Sequence, residues 1–190
     1  TGWYTLSLHD ALPIFGTAND RALGRYAQGE LGRGELLAKT DYDANWGYPF
    51  APYERLMARI TQQGGELRGL DAPRSLVEKV AHGGLVSLDR QETAKLPELE
   101  LSNLAHRRSF EDAMAAHPHA GRLDDLYAAQ VLRDEWMSRA AASYLEGAGA
   151  APLLVVLAGR AHCMPSAIPA RTRRRLPWVS APSVVVLVDP

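Results

Sequence analysis

Apolar residues recur at three- and four-residue intervals through most of the chain, a spacing that predicts helices. Residues 18–40 carry it, with breaks near Gly29 and at Gly32-Arg33-Gly34. After an aromatic loop, Asp41–Phe50, Pro52 suits a first helical turn. Tyr53, Leu56, Met57 and Ile60 give that helix an apolar face, and Gly64-Gly65 ends it. Pro73 opens the next helix, Leu76, Val77 and Val80 share one of its faces, and Gly83-Gly84 closes it. Residues 85–105 predict short helical pieces punctuated by Pro97, and His106–His117 a helix that stops before Pro118. Arg122–Glu146 predicts the longest helix, ended by Gly147.

Three short runs break this period. Glu66–Leu70, Leu153–Ala158 and Ser183–Val188 are strand-sized, and the last two are almost continuously apolar. Helices alternating with such runs predict an α/β fold with a largely parallel central sheet covered on both faces. Three strands are few for such a sheet, and missing N-terminal strands would account for the shortage.

Composition changes this picture little. A chain of 190 residues with 46% hydrophobic and 23% charged residues suits one well-cored domain. A net charge of −1 gives no bulk attraction to nucleic acid. The single cysteine, Cys163, rules out an internal disulfide or a CxxC motif. No apolar run approaches the ~20 residues that span a bilayer as a helix. Tyr4–Ile14 (YTLSLHDALPI) resembles a frame translation of a sequencing adapter, so residues 1–15 are set aside as a non-native leader and 16–190 read as the domain.

The chemistry concentrates after Leu153–Ala158, where the turn Gly159-Arg160-Ala161-His162 follows the most apolar run. Ligands collect beyond the carboxyl ends of strands in open α/β sheets. Gly159 would admit a close approach to the backbone, and His162 offers an imidazole as metal ligand or proton carrier. The spacing alone is weak in a chain with 16 glycines. Cys163 and Met164 are soft possible ligands beside it. Arg171, Arg173, Arg174 and Arg175 make either a solvated helix face or a clamp for anions. On the long helix Tyr127, Gln130, Asp134, Met137, Ala141 and Tyr144 share a face. Gln130 and Asp134 there are either structural hydrogen-bonders or pocket-lining groups. Trp46-Gly47-Tyr48-Pro49-Phe50 with Tyr53 either lines an apolar slot or packs in the core. His117-Pro118-His119 fits no common metal site and reads as a surface loop. No GxSxG, HExxH or P-loop occurs.

Taken in order, several segments resemble the ChaN-like haem-binding family of the Tiki superfamily. They are Tyr26–Glu30, Trp46-Gly47-Tyr48, Asp71-Ala72-Pro73-Arg74 with Val77, Val80 and Gly84-Leu85, Tyr127–Gln130 with Asp134–Met137, Val155–His162, and Ile168–Arg171. The family's earlier Gly-Glu-x-His motif is absent, and Ala161 stands where it usually has a glycine or similar small residue. The resemblance implies haem binding in bacterial haem or iron uptake, by an exported or outer-membrane lipoprotein that dimerises around paired haems. It also implies an axial tyrosine, for which Tyr48, Tyr53 and Tyr127 are candidates, with His162 as a further iron ligand. Gly159, Gln130, Asp134 and Arg171 would complete the site, arginines meeting the propionates. Catalysis is not expected. The alternative is a divalent-metal-dependent hydrolase of the Tiki type using His162.

Overall fold

The computed structural model describes residues 15–46, 48–115, 121–148 and 153–184. Its larger core is arranged around one helix, α8 (Leu123–Gly147). All residues from Leu126 to Glu135 are buried, so this part of α8 has no solvent face. A helix turns by about 100° per residue, so ten successive buried residues need neighbours on every side. α5 (Arg74–Gly83) supplies one side with Leu76, Val77, Val80 and Ala81, and Phe110 of α7 (Leu104–Ala115) adds to it. α9 (Ile168–Arg175) supplies another: Ile168 meets Met137, and Leu176 just beyond it meets Ala142 and Leu145.

The N-terminal helices form a separate cluster. α1 (Asp20–Ala27), α2 (Arg33–Lys39), α3 (Tyr42–Asn45) and α4 (Ala51–Gln62) gather Leu23, Leu36, Tyr42, Trp46, Phe50 and Met57 around Phe15. The punctuation predicted from sequence is seen here. Pro52 stands in the first turn of α4, Pro73 caps α5, and Gly84 follows α5 at φ 68°, a conformation suited to glycine. Short pieces fill residues 85–105 as expected, a 3₁₀ turn at Leu85–Ser87 and α6 (Arg90–Thr93), the latter closed by a reciprocal Asp89/Glu92 capping box.

The expected sheet is absent: among the described residues there is no strand, and the fold is helical. One isolated parallel bridge joins Gly16 to Asp71, with the Leu70 amide donating to the Phe15 carbonyl at 2.9 Å and the Thr17 amide to that of Asp71 at 3.0 Å. Gly69 is required there, because a Cβ would stand 1.9 Å from the Gly16 carbonyl oxygen. Glu66–Leu70 therefore pairs only at its last residues. Leu153–Ala158 has no ladder among the described residues. Its even positions lie against the helices, Val156 and Ala158 beside Met137 and Leu154 beside Leu145. Of its odd positions, Leu153 and Val155 are exposed and Leu157 reaches the N-terminal cluster. The physical reason for the difference is that a strand is a property of a pair: without a neighbour at about 4.8 Å to take its alternating N–H and C=O groups, an apolar run buries what it can against helices. The predicted run Ser183–Val188 falls mostly outside the described residues, as do Tyr4–Ile14, Gly47 and His117-Pro118-His119.

Candidate functional site

Three consecutive charged residues, Arg133, Asp134 and Glu135, lie in the all-buried part of α8 with no exposure. Being about 100° apart, they point in three directions, and a buried charge needs a partner wherever it points. Arg133 meets Asp71, its Nη2 2.9 Å from Oδ2 and its Nε 3.2 Å from both carboxylate oxygens. Asp71 Oδ1 also accepts from the Ala72 amide. Glu135 collects three guanidinium groups: Arg171 Nε at 3.1 Å, Arg174 Nη2 at 2.8 Å and Arg175 Nη1 at 2.7 Å. The anion clamped by the arginine cluster is thus an internal carboxylate, and only Arg173 and Arg174 are exposed among the four.

Asp134 stands between two histidines. His162 Nδ1 is 2.6 Å from Oδ1, and His106 Nε2 is 2.9 Å from Oδ2 at an angle short of a straight hydrogen bond. α7 places His106: the Asn103 side chain accepts from the His106 amide at the start of that helix. The other ring nitrogen, Nδ1, faces the Tyr127 hydroxyl at 3.2 Å and Arg171 Nη2 at 3.3 Å, both donors, so it acts as acceptor. His162 is set by a 3₁₀ turn, Arg160–Cys163, whose start at Gly159 has φ −60° and ψ 151°, open to any residue.

Burial alone would raise the Asp134 carboxyl, but the charge of His162, its hydrogen bond and the close approach of His106 outweigh it and hold it down at about 2. Burial, then the charge of Arg133, pushes the His162 imidazole below its ordinary range against the opposing pull of Asp134. His162 is therefore neutral at pH 7, its Nδ1–H given to Asp134 and its Nε2 lone pair bare. That Nε2 is buried without a partner among the described residues. The Gln130 Nε2 amide also stands 3.1 Å from Nδ1.

Of the residues predicted from sequence, the structure brings Tyr127, Gln130, Asp134, His162 and Arg171 into one network, with Gly159 at its edge. It does not bring Tyr48 and Tyr53 there. They pack on Trp46, at ring separations of 5.6 and 5.7 Å, in the N-terminal cluster. The sequence reading missed His106, Arg133 and Glu135. The usable signal was three successive charges in a helix with no polar face.

His162 lines neither of two further cavities. One, of about 310 Å³, is polar and runs from the Thr17–Asn19 turn past Lys39 to Asp71 and Arg74. The other, of about 330 Å³, is mainly apolar. α4 lines it with Leu56, Met57 and Ile60, as do Leu153–Val155 and Leu157, and Tyr144 of α8, Glu66 and Arg68 also line it. Leu56, Leu153 and Val155 are exposed at its rim.

A helical domain with a sealed acid–histidine–arginine centre and a separate apolar cavity is the class that the geometry defines. Comparison with known families adds the rest: residues 11–171 match the family described as haem-binding uptake, Tiki superfamily, ChaN, and the chain belongs to it. No curated protein and no solved structure matches the chain.

Haem asks for an apolar slot, an O, N or S donor for iron, and cations for two carboxylates. In the buried network Tyr127 and Arg171 are enclosed and already partnered. The apolar cavity offers the slot and, in Tyr144, an oxygen donor, while its Arg68 is already paired with Glu66, which also lines it.

Proposed function

We propose that this chain binds haem as cargo, in bacterial haem or iron uptake, and holds it without transforming it. The observation that carries this reading is the family match over residues 11–171. The apolar cavity supports it, since burying porphyrin faces contributes about 25 cal/mol per Å². In the finer reading an axial tyrosine or histidine holds the iron, arginines meet the propionates, and the full-length protein is exported or membrane-anchored and dimerises around paired haems. Titrating the purified chain with hemin is expected to give a saturable Soret shift near one haem per chain. A featureless spectrum at stoichiometric protein refutes the proposal. Sedimentation with and without hemin tests the dimer.

A second reading rests on one observation. The Asp134–His162 pair leaves Nε2 bare, the tautomer in which a carboxylate-backed histidine ligates a metal. A divalent metal there would lower the pKa of a bound water. Among the described residues no group of three or more His, Cys, Asp or Glu stands at metal-binding geometry, so further ligands would come from elsewhere. Stoichiometric zinc or manganese uptake, lost in His162→Ala, would establish it.

A further inference from the structure

The lining of the apolar cavity is held in two different ways. Leu56, Met57 and Ile60 belong to α4, and the lining residues Gly65–Arg68 and Leu70 lie in a segment tied by its backbone. There the Gly69 amide donates to Asp20 Oδ1 at 2.6 Å and the Leu70 amide to the Phe15 carbonyl at 2.9 Å. Leu153–Val155 and Leu157 line the same cavity without such ties. Among the described residues no amide of Leu153–Ala158 donates a hydrogen bond, and the one bond it accepts is a weak one, from Cys163 Sγ to the Ala158 carbonyl at 3.6 Å. None of its side chains is fully buried.

What fixes this segment lies just beyond it. His162 is fully enclosed, and its Nδ1 stands 2.6 Å from Asp134 Oδ1 on α8. The His162 amide donates to the Gly159 carbonyl at 2.9 Å, so the anchored ring also holds the end of the segment. Before that anchor only side-chain packing acts: Leu154 beside Leu145, Val156 and Ala158 beside Met137, and Leu157 in the N-terminal cluster. Leu153 is 85% and Val155 57% exposed, so solvent lies on the other face. Segments with few buried contacts and few backbone bonds open before the rest of a fold, and lids are drawn from them.

We propose that Leu153–Ala158 is a movable strap at the apolar cavity and that the Asp134–His162 hydrogen bond is its latch. With the latch closed, Leu154, Val156 and Ala158 stay seated beside α8. When it opens, the turn Arg160–Cys163 leaves α8, these side chains lose their places beside Met137 and Leu145, and the apolar lining becomes accessible. The helices keep their positions, because α5, α7 and α9 pack on α8 through contacts of their own. The strap governs access to the cavity whatever the cavity holds, so it stands apart from the haem reading.

The test compares the purified chain with His162→Gln and His162→Asn. The amide nitrogen of Asn reaches the place of Nδ1 and that of Gln the place of Nε2, so His162→Asn keeps a donor for Asp134 and His162→Gln does not. Thermolysin, which cuts before large apolar residues, reads the strap, and the apolar dye anilinonaphthalene sulfonate reads the cavity. His162→Gln is expected to be cut between Leu153 and His162 roughly tenfold faster than the wild type, as for the loss of a hydrogen bond to a charged group. Mass mapping is expected to show its helices intact, and its dye fluorescence to rise. His162→Asn is expected to match the wild type in both readings. Cleavage spread along the helices of His162→Gln overturns the strap, because the pair then holds the whole domain. Equal cleavage of the two variants overturns the latch. Strap cleavage with no added dye binding overturns the link to the cavity.

Discussion

Asp134 Oδ1 and His162 Nδ1 lie 2.6 Å apart with neither side chain exposed, and this contact ties the turn after Leu153–Ala158 to the central helix. Around it the charges interlock. Asp134 also faces His106, which meets Tyr127 and Arg171, and Arg171 returns to Glu135 one residue along α8. α7, α8, α9 and the His162 turn are thereby held by polar contacts where no sheet does so. A buried ion network adds less net stability than its contact count suggests, because desolvation offsets much of the attraction, but removing one partner is costly.

Asp134→Asn should show that asymmetry. The variant keeps an acceptor for His162 but loses the charge that both histidines face. A loss of about 1.5–3 kcal/mol is expected in urea unfolding, the worth of a hydrogen bond to a charged group. His162→Gln should cost less alone. The double variant should show coupling of about 0.5–3 kcal/mol, as for residues in direct contact. Strict additivity would mean that the 2.6 Å contact carries no energy of its own.

The same pair sets an acid limit. His162 titrates lower folded than unfolded, so the unfolded chain binds its proton first, and stability falls as pH drops through the ordinary histidine range. Asp134, held at about 2, adds stability that is complete above the usual carboxylate pKa and is lost as pH falls from about 4 toward 2. Arg133, Asp71, His106 and Gln130 face the pair from the surrounding elements. Both effects have the same sign. The expected result is a Tm that holds steady above pH 7 and declines in two stages below it. His162→Gln should remove the upper stage. A Tm that rises on acidification from pH 7 to 5 would contradict the neutral buried imidazole.

Gly69→Ala tests the one piece of strand-like pairing. The new Cβ would collide with the Gly16 backbone, which cannot rotate away as a side chain does. Amide exchange at Thr17 and Leu70 should accelerate strongly, since their bonds to Asp71 and Phe15 must open. Unchanged protection of both amides would show that the approach is looser than 1.9 Å implies.

The helices were legible because their signals are local. Pro52 and Pro73 punctuate the chain through φ restriction and the missing N–H, and Gly83-Gly84 through glycine's freedom to take positive φ, effects that act wherever the residue sits. The sheet was misjudged because Val155-Val156-Leu157 states only that the run is apolar, while pairing depends on a second segment. The site was half legible. Tyr127, Gln130 and Asp134 share a face by arithmetic, and His162 follows the run that packs beside them. His106 was not legible, because its approach to Asp134 depends on how α7 folds back over α8. The arginines after Ile168 were ambiguous for the same reason: only the fold shows that the carboxylate they meet is Glu135.

Glu135 makes the sharpest contrast between buried and exposed charge. Its carboxylate is fully enclosed by Arg171, Arg174 and Arg175, whereas Glu100, which also meets Arg174, is 37% exposed. Glu135→Gln leaves Arg171 buried beside a neutral amide and Arg175 largely covered, with no other ion pair for either among the described residues. The expected cost is about 3–5 kcal/mol, the penalty of an uncompensated buried charge. Glu100→Gln removes a contact that water and salt already screen, and about 0–1 kcal/mol is expected. Urea midpoints for the two variants at low and high salt distinguish them: the Glu135 loss should persist in salt and the Glu100 loss should shrink. Equal costs would mean that α9 packs on α8 through Ile168 and Leu176 alone, with the guanidinium cluster free to turn to solvent.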